Sequence, residues 1–355
     1  MEQAIWRQGP KVSEIGEFSL IREIRGWIAS VSEGRDEIIT GLGDDTAILR
    51  PPSGWDLVWS CDIQAINRHF RSDLMTPRQV GARAVEVNLS DIAAMGGEPI
   101  AALISLGLPA DLPVAALEEI YRGFISACGP YRLQIVGGNI SQSSDLFIDI
   151  SILGRVESGR ALRRNAAAYG DIVFVTGFPG RAGAAISLFD SHTNVSAQLR
   201  DGLNLSYTSP KARITAGRYL VENQIKCAVI DTSDGITGDL CRICEESGVG
   251  IELDGSSFPA DPLLMQLGDV MKTDPLDWFL GASDDYELLI TASESEADRI
   301  LTISRLLSSD GYQSPGGRHV PVTPIGRVLP GDPVIQIQDS QGGSRKLTGG
   351  WDHLI

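Results

Sequence analysis

No stretch of this chain approaches the length of an apolar membrane span, and the opening MEQAIWRQGPK has no signal-peptide core. A cytoplasmic protein with no membrane partner is the expectation. Positive charge is also scarce. Thirty Lys and Arg against 46 Asp and Glu leave a net charge of -16, which disfavours nucleic acid and anionic membranes, because both need a basic face. Phosphate ligands stay open, provided that cations accompany them. Cysteine is sparse: Cys61, Cys128, Cys227, Cys241 and Cys244 form an odd set without disulfide-like spacing, the pattern of reduced thiols. Cys241 and Cys244 make a lone CxxC in a helical segment, with no second pair and no histidine cluster, so helix packing accounts for them better than zinc or redox chemistry. A Walker A lysine motif and the kinase HRD and DFG signatures are missing too. GFPGRAG at 177–183 is only loosely like a phosphate loop, and a tight strand-to-helix turn explains it equally well.

What is present is an ordinary globular composition, 43% hydrophobic and 21% charged over 355 residues, enough for one large domain or two. The most organised stretch is TPRQVGARAVEVNLSDIAAMGGEP, Thr76 to Pro99. Thr76 and Gln79 form a capping box, Pro77 suits the first turn, and Gly96-Gly97 before Pro99 supplies the stop. Val80, Ala84, Val87 and Met95 recur at helical spacing and predict one apolar face, and Asp91 falls on it. A carboxylate there must be paired, hydrogen-bonded or bound to a metal.

Elsewhere strand and helix signals alternate. A helix is expected over 16–28 with Phe18, Ile21 and Ile24 or Arg25 turning through one face. Strands are expected over 56–61, ending at Asp62, over 100–106, over 134–136 running into Gly137-Gly138-Asn139, and over 145–156. Helices are expected over 113–128, 210–223 and 296–307, and 191–209 reads as a polar connection. A strand at 227–230 delivers Asp231-Thr-Ser-Asp-Gly235, and the chain ends through 324–328 and a turn-rich tail, GGWDHLI at 349–355. The polar, basic run 157–169 marks the boundary, giving domains 1–157 and 158–355. No short internal repeat is evident.

Four acidic turns stand out: GDD at 43–45, SCD at 60–62, LSD at 89–91 and DTSDG at 231–235. If they converge, each pair of charges about 4 Å apart costs on the order of 4 kcal/mol at an effective dielectric near 20, so convergence implies cations. Oxygen ligands without histidine or thiolate favour magnesium over zinc, and magnesium held by carboxylates keeps water and phosphate in its other positions, which points to a nucleotide. Taken one at a time, each aspartate could simply cap its own turn.

In order along the chain, GEFSLI, GLGDDTAIL, NLSDIAAMGGEP, IVGGN, VIDTSDGITGDL, DDYELL, PIGRV and GGWDH resemble the thiamine-monophosphate kinases, within the ATP-binding superfamily of aminoimidazole ribonucleotide synthase. The likeness covers nearly the whole chain, from about residue 16 to 353. It implies a two-domain α/β and α+β fold: an N-terminal mixed sheet with helices that binds ATP and magnesium and dimerises, and a C-terminal α+β domain that completes the substrate site. It implies transfer of the γ-phosphoryl group of ATP to thiamine phosphate in a homodimer. By motif, Asp44, Ser60, Asp62, Asp91, Asn139, Asp231 and Asp234 would hold magnesium. Gly138, Asn139, Arg164 and Ser233 would contact ATP. His69, Asp284 and Trp351 would face thiamine phosphate, and an indole face suits a thiazolium cation. Asp44, Asp91, Asp234 and Arg164 would carry the chemistry. The acceptor is already an anion, so the transfer needs alignment and charge neutralisation rather than a general base.

Departures from the family pattern accompany the likeness. The usual GGDTTR reads Gly137-Gly-Asn-Ile-Ser-Gln142, TTD reads Ser60-Cys61-Asp62, and GGEDYELL reads Ala282-Ser-Asp-Asp-Tyr-Glu-Leu-Leu289. Two alternatives stay open at this level: a superfamily relative using ATP on another small substrate, and a nucleotide-binding protein without turnover.

Overall fold

The computed structural model describes residues 5–29, 34–42, 45–309, 319–338 and 343–347. Contacts divide the chain into two compact units, one within residues 1–92 and 97–159, the other within 93–96 and 160–355.

In the first unit the order is α1 (Val12–Ile15), α2 (Glu17–Ala29), β1 (Ile38–Thr40), β2 (Ile48–Leu49), β3 (Trp55–Ala65), α3 (Pro77–Ala94), β4 (Glu98–Leu108), α4 (Val114–Cys128), β5 (Gln134–Gln142) and β6 (Phe147–Glu157). A four-stranded mixed sheet runs β3-β6-β4-β5, with β4 and β5 parallel and the other pairs antiparallel. Helix α3 is the central element. Its capping box forms in both directions, Thr76 N donating to Gln79 Oε1 at 2.9 Å and Gln79 N to Thr76 Oγ1 at 3.2 Å. It stops where Gly97 N donates to Ile92 O at 2.8 Å and Gly96 N to Ala93 O at 2.9 Å, with Gly96 at φ 69°, the glycine stop expected from the sequence.

The expected single apolar face of α3 is corrected. Residues on every side of it are buried, Arg83, Glu86, Asn88 and Ser90 included. It is enclosed because α4 crosses it at glycines: a β-carbon on Gly81 would lie 2.0 Å from Ile120 O, and one on Gly123 2.2 Å from Arg78 O. Helix α2 buries Leu20, Ile24 and Ile28, whereas Phe18 is 82% exposed. The i, i+4 row wins over the expected Phe18–Ile21 row because it meets α4, where Trp27 packs 5.6 Å from Tyr121. Two of the strands that run longer than expected carry candidate site residues. β3 carries Asp62 in its interior instead of at its end, and β5 carries Gly137-Gly138-Asn139. Ladder pairing with β6 and β4 extends both, overriding their weak apolar patterns.

The second unit contains β7 (Ile172–Thr176), α5 (Arg181–Ser191), α6 (Ala197–Thr208), α7 (Ile214–Glu222), β8 (Cys227–Asp231), α8 (Ile236–Ser247), β9 (Gly250–Asp254), α9 (Pro262–Met271), α10 (Pro275–Leu280), β10 (Leu288–Ala292), α11 (Ala297–Ser309), β11 (Val322–Leu329), β12 (Ile335–Gln338) and β13 (Ser344–Leu347). A seven-stranded sheet runs β13-β12-β9-β11-β7-β10-β8, and its core holds Val173, Ile230, Leu240, Ile251 and Leu289. Cys244 is buried in the same core with Cys241 packed against it, the helix-packing role expected for the CxxC. The polar connection expected at 191–209 contains α6, whose N-cap Ser196 accepts from Leu199 N at 3.3 Å. α9 and α10 had a legible start, Asp261-Pro262 and Asp274-Pro275, and both aspartates cap the following helix. The antiparallel β12–β13 pair falls where no element was expected, and the turn-rich tail at 349–355 lies outside the described residues. Among the described residues no helix is long and apolar enough to cross a membrane.

Candidate active site

In the first unit the candidate site lies between β3 and α3. On β3, Ser60 and Asp62 alternate with Cys61, so they point to the helix while Cys61 points to the open face. The Ser60 hydroxyl donates to Asp91 Oδ2. One turn earlier on α3, Asn88 Oδ1 accepts from the Asp62 amide at 2.9 Å, and Asn88 Nδ2 donates to Ala84 O at 3.0 Å. Asn88 is fully buried and fixes the strand to the helix at the acidic pair. Burial first, then the charges of Asp91 and of Asp149 on β6, push the Asp62 carboxyl up to about 6.

Cys61 takes no part. Its thiol donates to Asp149 Oδ1 at 3.0 Å, and that bond, with burial and two acidic neighbours, pushes it up to about 11. Without a metal it stays protonated at neutral pH, and it faces away from Ser60 and Asp62. The ladder aligns Asn139 with Ser105, Ser105 with Asp149 and Asp149 with Ile63. That row lies on the open face, so within one chain Asn139 and Asp62 stand on opposite sides of the sheet. Gly138 has a packing reason of its own, since a β-carbon would come 1.9 Å from Ile104 O. His69 sits in the turn after β3, where its Nδ1 accepts from Ala65 N at 3.1 Å. The neutral ring therefore carries its proton on Nε2. Asp44 and Trp351 lie outside the described residues.

In the second unit the site is the β8–α8 turn. Asp231 closes β8, and Gly235 at φ 99° opens α8, where a β-carbon would lie 2.2 Å from Gly281 O. Ser233 N and Asp234 N both donate to Asp239 Oδ2, at 3.0 and 3.1 Å. Burial first, and then the Asp234 charge, pushes Asp239 up to about 7. Asp234 Oδ2 accepts from Arg242 Nη2 at 2.6 Å. Thr232 joins this turn to DDYELL: its carbonyl accepts from Tyr286 N at 2.9 Å and its Oγ1 from Glu287 N at 2.9 Å. Beneath, Arg213 grips Glu287 with two N–H groups, and Thr176 Oγ1 donates to the same carboxylate at 2.5 Å.

The GFPGRAG segment is resolved by Asp285. Its carboxylate accepts from Gly180 N at 2.6 Å, Ala182 N at 2.9 Å and Ser283 Oγ at 2.6 Å. The amides that would cradle a phosphate at the start of α5 are taken by the chain itself, and the segment is a capped strand-to-helix turn. Asp284, beside it, is half-buried, and Arg164 is exposed in a short helical turn whose carbonyl accepts from Ser247 Oγ at 2.9 Å.

The structure thus brings Ser60, Asp62 and Asp91 together in one unit, and Asp231, Ser233 and Asp234 in the other, with Asp284 on the loop that Thr232 ties down. Among the described residues no three His, Cys, Asp or Glu side chains gather closely enough to hold a metal by themselves. Two carboxylates with a hydroxyl suit magnesium, which takes one or two protein carboxylates and completes its shell with water and phosphate. Sequence reasoning missed Asn88, Asp149, Asp239 and Arg242. Asn88 was readable as one turn before Asp91; the others are brought in by strand pairing and by the fold of the turn.

Residues 43–156 match the family profile of the AIR synthase related proteins, N-terminal domain, and 168–310 that of their C-terminal domain. The thiamine-monophosphate kinase of Salmonella typhimurium is 34% identical over 280 residues, 79% of this chain and 83% of that protein. The crystal structure of thiamine-monophosphate kinase from Stenotrophomonas maltophilia superposes with a TM-score of 0.78 at 29% identity, over 93% of this chain and 98% of the other. A structure described as AaThiL complexed with AMPPCP and TMP superposes with a TM-score of 0.72 at 30% identity, over 97% and 99%. This chain belongs to the thiamine-monophosphate kinase family of the AIR synthase related proteins.

Proposed function

We propose that the chain transfers the γ-phosphoryl group of ATP to thiamine phosphate, giving thiamine diphosphate. The observation that carries this is the Ser60–Asp62–Asp91 cluster, in which the Ser60 hydroxyl donates to Asp91 and burial, then the Asp91 and Asp149 charges, push Asp62 up to about 6, a setting that a cation would relieve. The fit to magnesium follows from its all-oxygen donors and from the small number of protein ligands. Support for the substrates comes from relatives named thiamine-monophosphate kinase and from the 30%-identical structure complexed with AMPPCP, an ATP analogue, and TMP.

In this reading Ser60, Asp62 and Asp91 hold magnesium in the first unit and Asp231 and Asp234 hold magnesium in the second, with Asp44 as a further ligand. When bound, the ion neutralises phosphate charge and aligns the donor. Gly138, Asn139, Arg164 and Ser233 contact ATP, with the Arg164 guanidinium suited to a phosphate oxygen. His69 offers its Nε2–H to the acceptor phosphate, while Asp284 and Trp351 hold the cationic thiamine portion. No residue removes a proton, because the acceptor oxygen is already anionic. The protein acts by positioning and charge.

The same reading makes the protein a homodimer through the open face of the β3-β6-β4-β5 sheet. Leu57, Trp59, Ile63 and Leu103 are exposed on that face, Trp59 by 73%. Contiguous apolar surface of this kind marks an interaction site. The deciding assay supplies ATP and magnesium with either thiamine phosphate or free thiamine and separates the products. Thiamine diphosphate from the first acceptor and no reaction with the second supports the proposal. ADP release without thiamine diphosphate overturns it.

A further inference from the structure

We propose that Arg242 is a tethered counter-ion for Asp234: its charge competes with a divalent cation for that carboxylate, and so sets how tightly this turn holds metal. The inference rests on the reading of Asp234 as a metal ligand.

Asp234 precedes α8, and Arg242 lies two turns into that helix. Its guanidinium reaches back toward the helix start and donates to Asp234 Oδ2 at 2.6 Å. A helix N-terminus attracts anions and repels cations, so the helix itself does not hold the arginine there. The acidic turn does: Asp234 is its direct partner, and Asp239 is bonded to the amides of the same turn. Asp239 is already engaged, its Oδ2 accepting the amides of Ser233 and Asp234. The turn therefore carries acidic charge that needs a cation, and the chain supplies one of its own.

A guanidinium 2.6 Å from Oδ2 takes up part of the acceptor capacity of the carboxylate and neutralises its charge, so it opposes a divalent ion on the same group. The two partners differ in freedom: the Asp234 side chain is 11% exposed and that of Arg242 50%. The carboxylate stays and the arginine swings away when metal arrives. An ion pair this exposed is worth no more than about 1 kcal/mol, so the competition adjusts affinity without blocking the site.

The test uses Mn2+ as the probe, an oxygen-seeking stand-in for magnesium, with free Mn2+ followed by its paramagnetic resonance signal in nucleotide-free protein. Arg242→Met keeps the apolar stem and removes the charge, and it is expected to bind Mn2+ about fivefold tighter, which corresponds to roughly 1 kcal/mol. Arg242→Gln provides a second, polar variant with the same expectation, and circular dichroism verifies the fold of each. In an Asp234→Asn background the gain should vanish. Unchanged or weaker Mn2+ binding in both variants overturns the inference. So does a gain that persists undiminished in the Asp234→Asn background, which would mark a long-range charge effect. Phosphoryl transfer assayed on the wild-type preparation separates the two readings. Transfer with no Arg242 effect sinks this inference alone, and an Arg242 effect without transfer sinks the kinase reading alone.

Discussion

The amide of Asp62 in the middle of β3 donates to the side-chain oxygen of Asn88 in the middle of α3, at 2.9 Å. An acidic residue that the cluster would repel is thereby fixed through its backbone, leaving its carboxylate aimed beside Asp91. Replacing Asn88 with leucine removes the acceptor and leaves a partly buried amide unpaired, at a cost of about 1 kcal/mol. Urea unfolding should register that loss, and magnesium-dependent AMPPCP binding should weaken as well. Wild-type stability in Asn88→Leu would mean the bond is incidental.

Asp62 also gives a pH signature. Its folded carboxyl stands near 6 against an ordinary 3.8, so the folded chain holds its proton more tightly than the unfolded chain. That contribution is fully present below about pH 4 and is lost as pH rises through 6. In metal-free buffer Asp62→Asn should therefore gain stability over the wild type as pH goes from 4 to 7. Urea midpoints across that range check it; a constant difference contradicts it. Adding magnesium should favour the wild type and reverse the order.

Asp91→Asn keeps an oxygen near the Ser60 hydroxyl and removes a charge. Magnesium-dependent nucleotide affinity should fall by tenfold or more, about 1.4 kcal/mol, while the fold, followed by circular dichroism, is retained. A variant that unfolds, with its folded fraction binding normally, would make Asp91 a structural residue.

The pair Arg213–Glu287 sits under both loops of the second unit, with side chains only 5% and 7% exposed. Arg213→Met leaves a buried carboxylate without its bidentate partner and should cost about 3–5 kcal/mol. Replacing Glu287 with glutamine in the same chain should return part of that loss, because the stranded charge is gone. Equal destabilisation in the single and double variants would mean that packing by the arginine stem dominates.

Much of this was legible in the sequence. Thr76, Gln79, Gly96 and Gly97 announce both ends of α3, and the local chemistry that encodes caps is the chemistry that forms them. The metal-side cluster was legible in residue type: Ser60, Asp62 and Asp91 do meet. Their setting was not. Asp62 was expected at a strand end, but pairing with β6, a long-range property, continues β3 to Ala65. The same ladder turns Asn139 to the opposite face, which no local pattern indicates. The α3 stripe misled because a helix crossed at Gly81 and Gly123 is enclosed by its neighbours regardless of its own periodicity. GFPGRAG was ambiguous until Asp285, about a hundred residues later, was seen to occupy its amides.

The most direct test of the central claim, that the Asp62–Asp91 cluster holds a divalent ion bridging to nucleotide, is calorimetric titration of AMPPCP into the protein in magnesium and in EDTA. The account predicts binding by the wild type only with magnesium, and binding by the Asp62→Asn, Asp91→Asn double variant no better than the wild type in EDTA. Equal AMPPCP affinity in EDTA, or undiminished magnesium-dependent affinity in the double variant, would contradict it.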